Sequence, residues 1–188
     1  MMPSRLGRRL RGVEGRWRAR LLGLAHRNIH VAPGAWVGRG CRLFLDPAAR
    51  LVLGRSSSVD DGATIAVYGN GCVELGAGSF VGHHATLAAH REVKIASGSF
   101  LAELVSVRDH DHAPGRPPSS GEMAVTSVAI GRDVWIGAKA TVLRGARIGD
   151  RSVVGAHAVV RGAVRPAVLV VGVPARVVKD LDTQGRTS

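Results

Sequence analysis

A chain of 188 residues has room for one domain with a small appended element, and aromatics at 4% against 25 glycines narrow the kind of domain. The two cysteines, Cys41 and Cys72, match no metal or redox spacing and read as small buried or turn residues. No apolar run approaches the roughly 18 residues of a membrane span, and no apolar segment follows the basic start, so the expectation is a soluble cytoplasmic protein.

Formal charge is +12, but it is unevenly placed. Residues 1–27 carry eight arginines against Glu14 alone, which leaves the rest of the chain only mildly basic. A nucleic-acid face on the body is therefore not indicated. Within the arm, Leu6, Leu10, Val13, Trp17, Leu21 and Leu24 recur at intervals of three and four, which predicts a basic amphipathic helix over residues 1–28. Such a helix can cap the open end of the domain behind it or rest on an anionic membrane surface. Both readings stay open.

From Val31 onward the apolar residues fall six apart. Val31, Val37 and Leu43 form a first trio. Leu53, Val59 and Ile65 form a second, Leu75, Val81 and Leu87 a third, and Ile95, Leu101 and Val107 a fourth. The gaps between trios exceed six, so corner insertions are expected around Asp46–Arg50, Tyr68–Cys72 and Ala89–Lys94.

After Val107 the repeat breaks. Residues 108–127 read RDHDHAPGRPPSSGEMAVTS, whose prolines cannot join a ladder, so this is a projecting loop. Its root holds the densest titratable cluster of the chain, Asp109-His110-Asp111-His112. On an extended segment His110 and His112 share one face while Asp109 and Asp111 share the other. A neutral imidazole oriented by a carboxylate can take a proton from a hydroxyl. The same composition also suits an ordinary solvated loop.

The repeat then resumes without interruption. Ile130, Ile136, Val142, Ile148, Val154 and Val160 are six apart, with Gly131, Gly137, Gly149 and Gly155 following four of them. A period of six fits neither a helix nor a simple strand. It fits a chain that turns a corner every six residues, three corners to the coil, with one aliphatic pointing inward on each face. The glycines are expected to supply a turn conformation that other residues resist. The fold class is therefore all-β, a parallel β-helix over residues 29–165 with loop 108–127. A C-terminal segment, residues 166–188, follows: a strand at Val168–Val171, a turn at Gly172–Ala175, a helix or strand from Arg176 and a frayed tail at Asp182–Ser188.

His83-His84 sits at a corner of an earlier coil and could approach the base of the loop; a solvated corner is the alternative. His90 and His157 lack neighbouring carboxylates and read as surface residues. Two histidines at i, i+2 with a third from another coil could hold zinc, but no tight ligand spacing is present.

The register of Ile130–Val160, the D-H segment before a proline-rich loop, VWIGAKATVLRGARIGDRSVVGAHAVV and the closing VVGVPARVVKDL resemble the left-handed β-helix, hexapeptide-repeat acetyltransferases. The branch is that of maltose and galactoside O-acetyltransferases and of surface-polysaccharide O-acetyltransferases. The resemblance implies a homotrimer with sites between neighbouring solenoids, acetyl-CoA as donor, no metal, and a histidine as general base on a sugar hydroxyl.

Carried over by matching residues, it places the base at His110, with His112 as second candidate and Asp109 orienting. It places Trp135, Gly137, Ala138, Gly155 and Ala156 beside the pantetheine arm. Arg176 and Lys179 match basic residues near the nucleotide phosphates. Arg161-Gly162 stands where relatives often carry Thr-Lys, so Arg161 is a further cofactor candidate. Glu103-Leu104 stands where many relatives have Pro-Asn, and His83 where they have a small or amide residue. His83, Glu103 and Met123 are thus the acceptor-side candidates. Two other readings share the solenoid: a γ-type carbonic anhydrase-like zinc enzyme, which needs three convergent histidines, and a non-catalytic scaffold.

Overall fold

The structure, a computed structural model, describes the backbone of residues 5–181 and side chains from Gly12 onward. The tail at Asp182–Ser188 and the side chains of Leu6 and Leu10 lie outside the described residues. Helix α1, Arg5–Ala25, precedes a left-handed parallel β-helix of six full coils and part of a seventh. Three sheets form its walls, a first of seven strands, a second of eight and a third of six.

The inward columns follow the hexads. On the first sheet Val31, Leu53, Leu75, Ile95, Ile130 and Ile148 lie in register. On the second, Val59, Val81, Leu101, Ile136 and Val154 do the same, and on the third Ile65, Leu87, Val107, Val142 and Val160. Apart from Val31 in the first coil, which is partly buried, these side chains are fully or almost fully buried. Medium aliphatics stacked at one strand spacing fill a narrow prism and leave no room for rings.

Two expectations need correction. The extra residues between the early trios do not sit in corner bulges alone. They lengthen the strands on either side of the corner between third and first sheets, as at Thr64–Val67 and Cys72–Leu75, and add Val67, Val73 and Val93 to the core. Nor do Gly131, Gly137, Gly149 and Gly155 adopt a positive φ. That conformation falls two residues later, for instance at Asp133, Lys139, Arg151 and His157. The glycines serve close approach between coils: a Cβ on Gly137 would lie 2.6 Å from the backbone nitrogen of Ala156, and one on Gly76 would lie 2.5 Å from that of Ser97.

Helix α1 lies over the first coil. Ala19 is completely buried there, Leu22 packs against the core, and Arg18 Nε donates to the Val37 carbonyl at 3.0 Å. That carbonyl belongs to an edge the coil cannot pair, so the helix closes it. The face that packs is not the large apolar stripe. Gly15, Ala19 and Leu22 meet the solenoid, while Val13, Trp17, Leu21 and Leu24 face solvent. Small residues let the helix approach closely, and the bulky stripe is left on the opposite side.

At the other end, Val168–Val171 joins the second sheet and Arg176–Asp180 pairs antiparallel beside it. The segment after Val107 is more ordered than a plain loop. His110–His112 pairs antiparallel with Met123–Val125, and a 3-10 turn, Pro118–Ser120, lies between them.

Candidate active site

The chain leaves the third sheet at Arg108 and bends at Asp109 before the hairpin starts. Strand alternation therefore does not run through this point, and Asp109 and Asp111 do not share a face. Asp111 meets Arg144 at 3.2 Å on the outside. Asp109 turns inward and is 0% exposed.

Its carboxylate is fully used. Oδ1 accepts the backbone N–H of His90 at 2.8 Å, and Oδ2 accepts those of Arg91 and Glu92 at 2.7 Å each. His110 Nδ1 lies 3.0 Å from Oδ1. A carboxylate offers only acceptors here, so Nδ1 carries the proton and Nε2 is left as the free lone pair. The His110 side chain is 14% exposed, enough for one ring edge to meet a substrate. His112, two residues on, is exposed and lies opposite Met123 in the hairpin.

Two neighbours of His110 are missed by the sequence reading. His90 is not a free surface residue: its ring stacks on Tyr68 with centroids 4.6 Å apart and meets His110 edge-on at 4.4 Å. Burial holds the His90 imidazole below the usual histidine range, and a second imidazole, that of His110, pushes the same way. Tyr68 itself lies 6.0 Å from His110, nearly perpendicular, and is partly exposed. The signal was a register one. Tyr68, His90 and His110 each follow an inward residue, Ile65, Leu87 and Val107, by three positions.

The donor-side residues gather elsewhere. Trp135, Gly137, Ala138, Gly155 and Ala156 line one groove of about 550 Å³, together with Phe100, Glu103 and Leu169. Glu103, expected on the acceptor side, thus shares the wall with them. Coil to coil, His83, Glu103, Ala138 and His157 follow one edge, joined by backbone bonds from Leu104 to His83, Lys139 to Glu103 and His157 to Ala138. His83 Nε2 lies 3.0 Å from Asp60 Oδ2 there.

Beyond the groove, Lys179 is paired directly opposite Leu169, and so emerges on the same outer face; Arg176 lies opposite Val171. Both are exposed. Arg161 is exposed too, but at the corner after the third sheet, away from the groove lining. Phe100 was overlooked: it stacks on Phe80, centroids 4.5 Å apart, and pairs in register with Trp135. Among the described residues, the trio of possible ligand atoms within 4.8 Å is Asp60, Asp61 and His83, which is not the three-histidine set a carbonic anhydrase-like centre requires. A larger depression of about 670 Å³ lies between α1 and the third strand of the first coil, far along the axis from His110.

Groove and histidine sit on opposite edges of the third sheet. On that sheet the strand leading to His110 is three residues long, roughly 10 Å, and the strands of the two coils beyond it are two residues long. The groove of one chain and its own His110 therefore open at different corners of the prism.

Comparison with known proteins agrees with this architecture. Residues 127–162 match the family described as bacterial transferase hexapeptide (six repeats). A probable acetyltransferase of Mycobacterium tuberculosis is 32% identical over 168 residues, 87% of this chain and 56% of that protein. The chain thus spans little more than half the length of that relative. An Escherichia coli protein with a provisional name as a lipopolysaccharide biosynthesis O-acetyl transferase is 29% identical over 75% of this chain and 80% of its own. Among solved structures, an N-acyltransferase from Bacillus cereus, in complex with dTDP and 3-hydroxybutyryl-CoA, superposes with a TM-score of 0.72 at 19% identity, covering 87% of each chain. A galactoside acetyltransferase in complex with coenzyme A gives 0.54 at 21%, covering 89% of this chain and 81% of its own. At such identities these two likenesses are of fold.

Proposed function

We propose that this chain, whose residues 127–162 match the bacterial transferase hexapeptide family, is an acetyl-CoA-dependent O-acetyltransferase acting on a sugar or glycan hydroxyl. The observation that carries this reading is the Asp109–His110 pair. A buried carboxylate fixes the ring and its tautomer and aims Nε2 at the surface, which is what a general base for a hydroxyl needs.

In the reaction His110 Nε2 takes the proton of the acceptor hydroxyl as the oxygen attacks the thioester carbonyl carbon. The carbon–sulfur bond breaks, and the proton goes on to the departing thiolate of CoA. Asp109 stabilises the imidazolium that forms in between. No covalent acyl-enzyme is required. Tyr68 offers a ring face beside His110 on which a pyranose can stack.

For the donor, Trp135 and Phe100 supply apolar surface for pantetheine, and backbone groups at the Gly137 and Gly155 corners pair with its amides. Arg176 and Lys179 meet the phosphates as exposed cations. His83 and Met123 are assigned to the acceptor side. Because groove and His110 lie on different edges, one chain's groove is completed by another's histidine, which supports a homotrimer with three shared sites. The donor is a cytoplasmic metabolite, so the proposed compartment is the cytoplasm. Among the described residues no helix is long and apolar enough to cross a membrane; the contact proposed with one is peripheral, through α1.

The test is an acceptor screen with acetyl-CoA, reading free thiol release, alongside thermal stabilisation by CoA. Thiol release that depends on a sugar acceptor and is lost in His110→Ala supports the reading. No stabilisation by CoA and no release with any sugar overturns it.

A further inference from the structure

Helix α1 is built back to front for a cap. Its buried side is small: Gly15 and Ala19, with Leu22 at the end. Its bulky residues form an outward stripe, in which Trp17 is 58% exposed and Leu24 85%, with Val13 and Leu21 between 50% and 60%. These four positions fall at i, i+4, i+8 and i+11, one line along the helix opposite the packed face. A cap alone gives no reason for that stripe.

Charge says what can cover it. Arg16 and Arg20 run along one border of the stripe, exposed, and Arg20 lies over the Trp17 ring at 5.9 Å. On the other border Glu14, the lone acid of residues 1–27, is held by Arg39 and lies 3.9 Å from Arg18. The stripe is thus apolar between cationic margins. A second copy docked stripe to stripe would bring the exposed Arg16 and Arg20 margin towards its own counterpart, like charge to like. The apolar surface also continues past Leu21 into the depression lined by Leu22, Leu43 and Leu45 at the open edge of the first coil.

We propose that the outer face of α1 is a docking surface for an anionic lipid bilayer. Val13, Trp17, Leu21 and Leu24 enter the boundary between headgroups and acyl chains, and Arg16 and Arg20 meet the phosphates. Because α1 lies across the end of the prism with its stripe facing away from it, the solenoid stands end-on to the membrane. His110 follows the fourth coil, three strand spacings from the first, so it stands about 25 Å above the lipid once the helix diameter is added. An acceptor tethered to the bilayer by its lipid end and carrying its sugar some 25 Å out is then presented at the site. The docking stands on α1 alone; the tethered acceptor rests on the transferase reading.

The test is co-sedimentation of the full chain with vesicles of phosphatidylcholine containing about 30% phosphatidylglycerol, against vesicles of phosphatidylcholine alone. Binding about tenfold stronger to the anionic vesicles, falling at high salt, is expected. Leu21→Asp/Leu24→Asp and Arg16→Glu/Arg20→Glu should each weaken it about tenfold or more. Both pairs are exposed, so folding, checked by thermal unfolding, is retained, as is transfer to a soluble acceptor. Equal binding of the Leu21→Asp/Leu24→Asp variant and the parent overturns the proposal. So does a fall in assembly mass of that variant in analytical ultracentrifugation, which would make the stripe a contact between copies. Loss of vesicle binding with transfer intact shows docking and chemistry to be separate; absence of transfer in the parent protein, with docking intact, counts only against the enzymatic reading.

Discussion

Asp109 and His110 are neighbours in sequence that do two jobs through one carboxylate. Oδ1 meets the imidazole at 3.0 Å while also accepting the His90 N–H, so the group that orients the ring also nails the hairpin root to the preceding coil. Orientation of the base and integrity of the corner are therefore coupled.

Replacing His110 by Ala removes the proton acceptor without touching the groove. Transfer should fall about 100- to 10,000-fold, with thermal stabilisation by CoA unchanged. If His110→Ala retains activity and His112→Ala is dead, the base is His112.

Asp109→Ala takes the acceptor from three part-buried backbone N–H groups. Water can reach some of them, so stability should fall by about 1–3 kcal/mol in all, read as a lower denaturant midpoint. Asp109→Asn is the finer probe: it should lower kcat more than it raises KM, since the ring loses its fixed tautomer while the acceptor pocket stays.

The pH dependence has a definite sign. The His90 pKa is depressed in the folded chain, first by burial and then by His110. The unfolded chain therefore binds a proton more readily, and stability falls as pH drops below the unfolded value of about 6.5. Above that value the contribution is complete. His90→Asn should flatten this part of the stability–pH curve, measured by thermal unfolding between pH 8 and pH 5.

The donor groove can be probed at exposed positions. Trp135→Ala should weaken CoA binding about tenfold with no loss of fold, since the ring is half in solvent. Lys179→Ala and Arg176→Ala should each weaken it several-fold, with a shallower dependence on salt. Calorimetric titration with CoA checks all three.

Gly76→Ala tests the coil-contact role of the hexad glycines. Relief of unfolded-chain entropy would stabilise by about 0.4–1 kcal/mol, yet the new Cβ meets backbone at 2.5 Å, and a net loss of about 1–3 kcal/mol is expected. A stabilised variant would show that successive coils can part at that corner.

The inward columns were legible in the sequence because residues taken six apart from Ile130 fall on the three walls of the prism in turn, and the early trios fall into the same columns once each is counted separately. The cluster around His110 was half legible. Weighing His90 by its sequence neighbours found no carboxylate, whereas the next coil brings Asp109 to its backbone. The helix was legible as a helix, but not its sense: hydrophobicity marks the stripe of Val13, Trp17, Leu21 and Leu24, and close packing chose Gly15 and Ala19 instead. Period reveals columns within an element; it does not reveal which side of a helix a neighbour prefers when small residues offer the closer approach.

Coil length carries a last consequence. Along the first sheet the step from one inward residue to its register partner is 22 residues at Val31–Leu53 and Leu53–Leu75, and 20 at Leu75–Ile95. Past the hairpin it is 18 at Ile130–Ile148 and 16 at Ile148–Val164. The prism is a taper, broad near α1 and slender towards the C-terminus. In the proposed trimer, three tapers side by side touch along their broad halves and draw apart along their slender ones. The groove each chain brings to the donor then faces widening space, because the prisms thin beyond the step that carries His110.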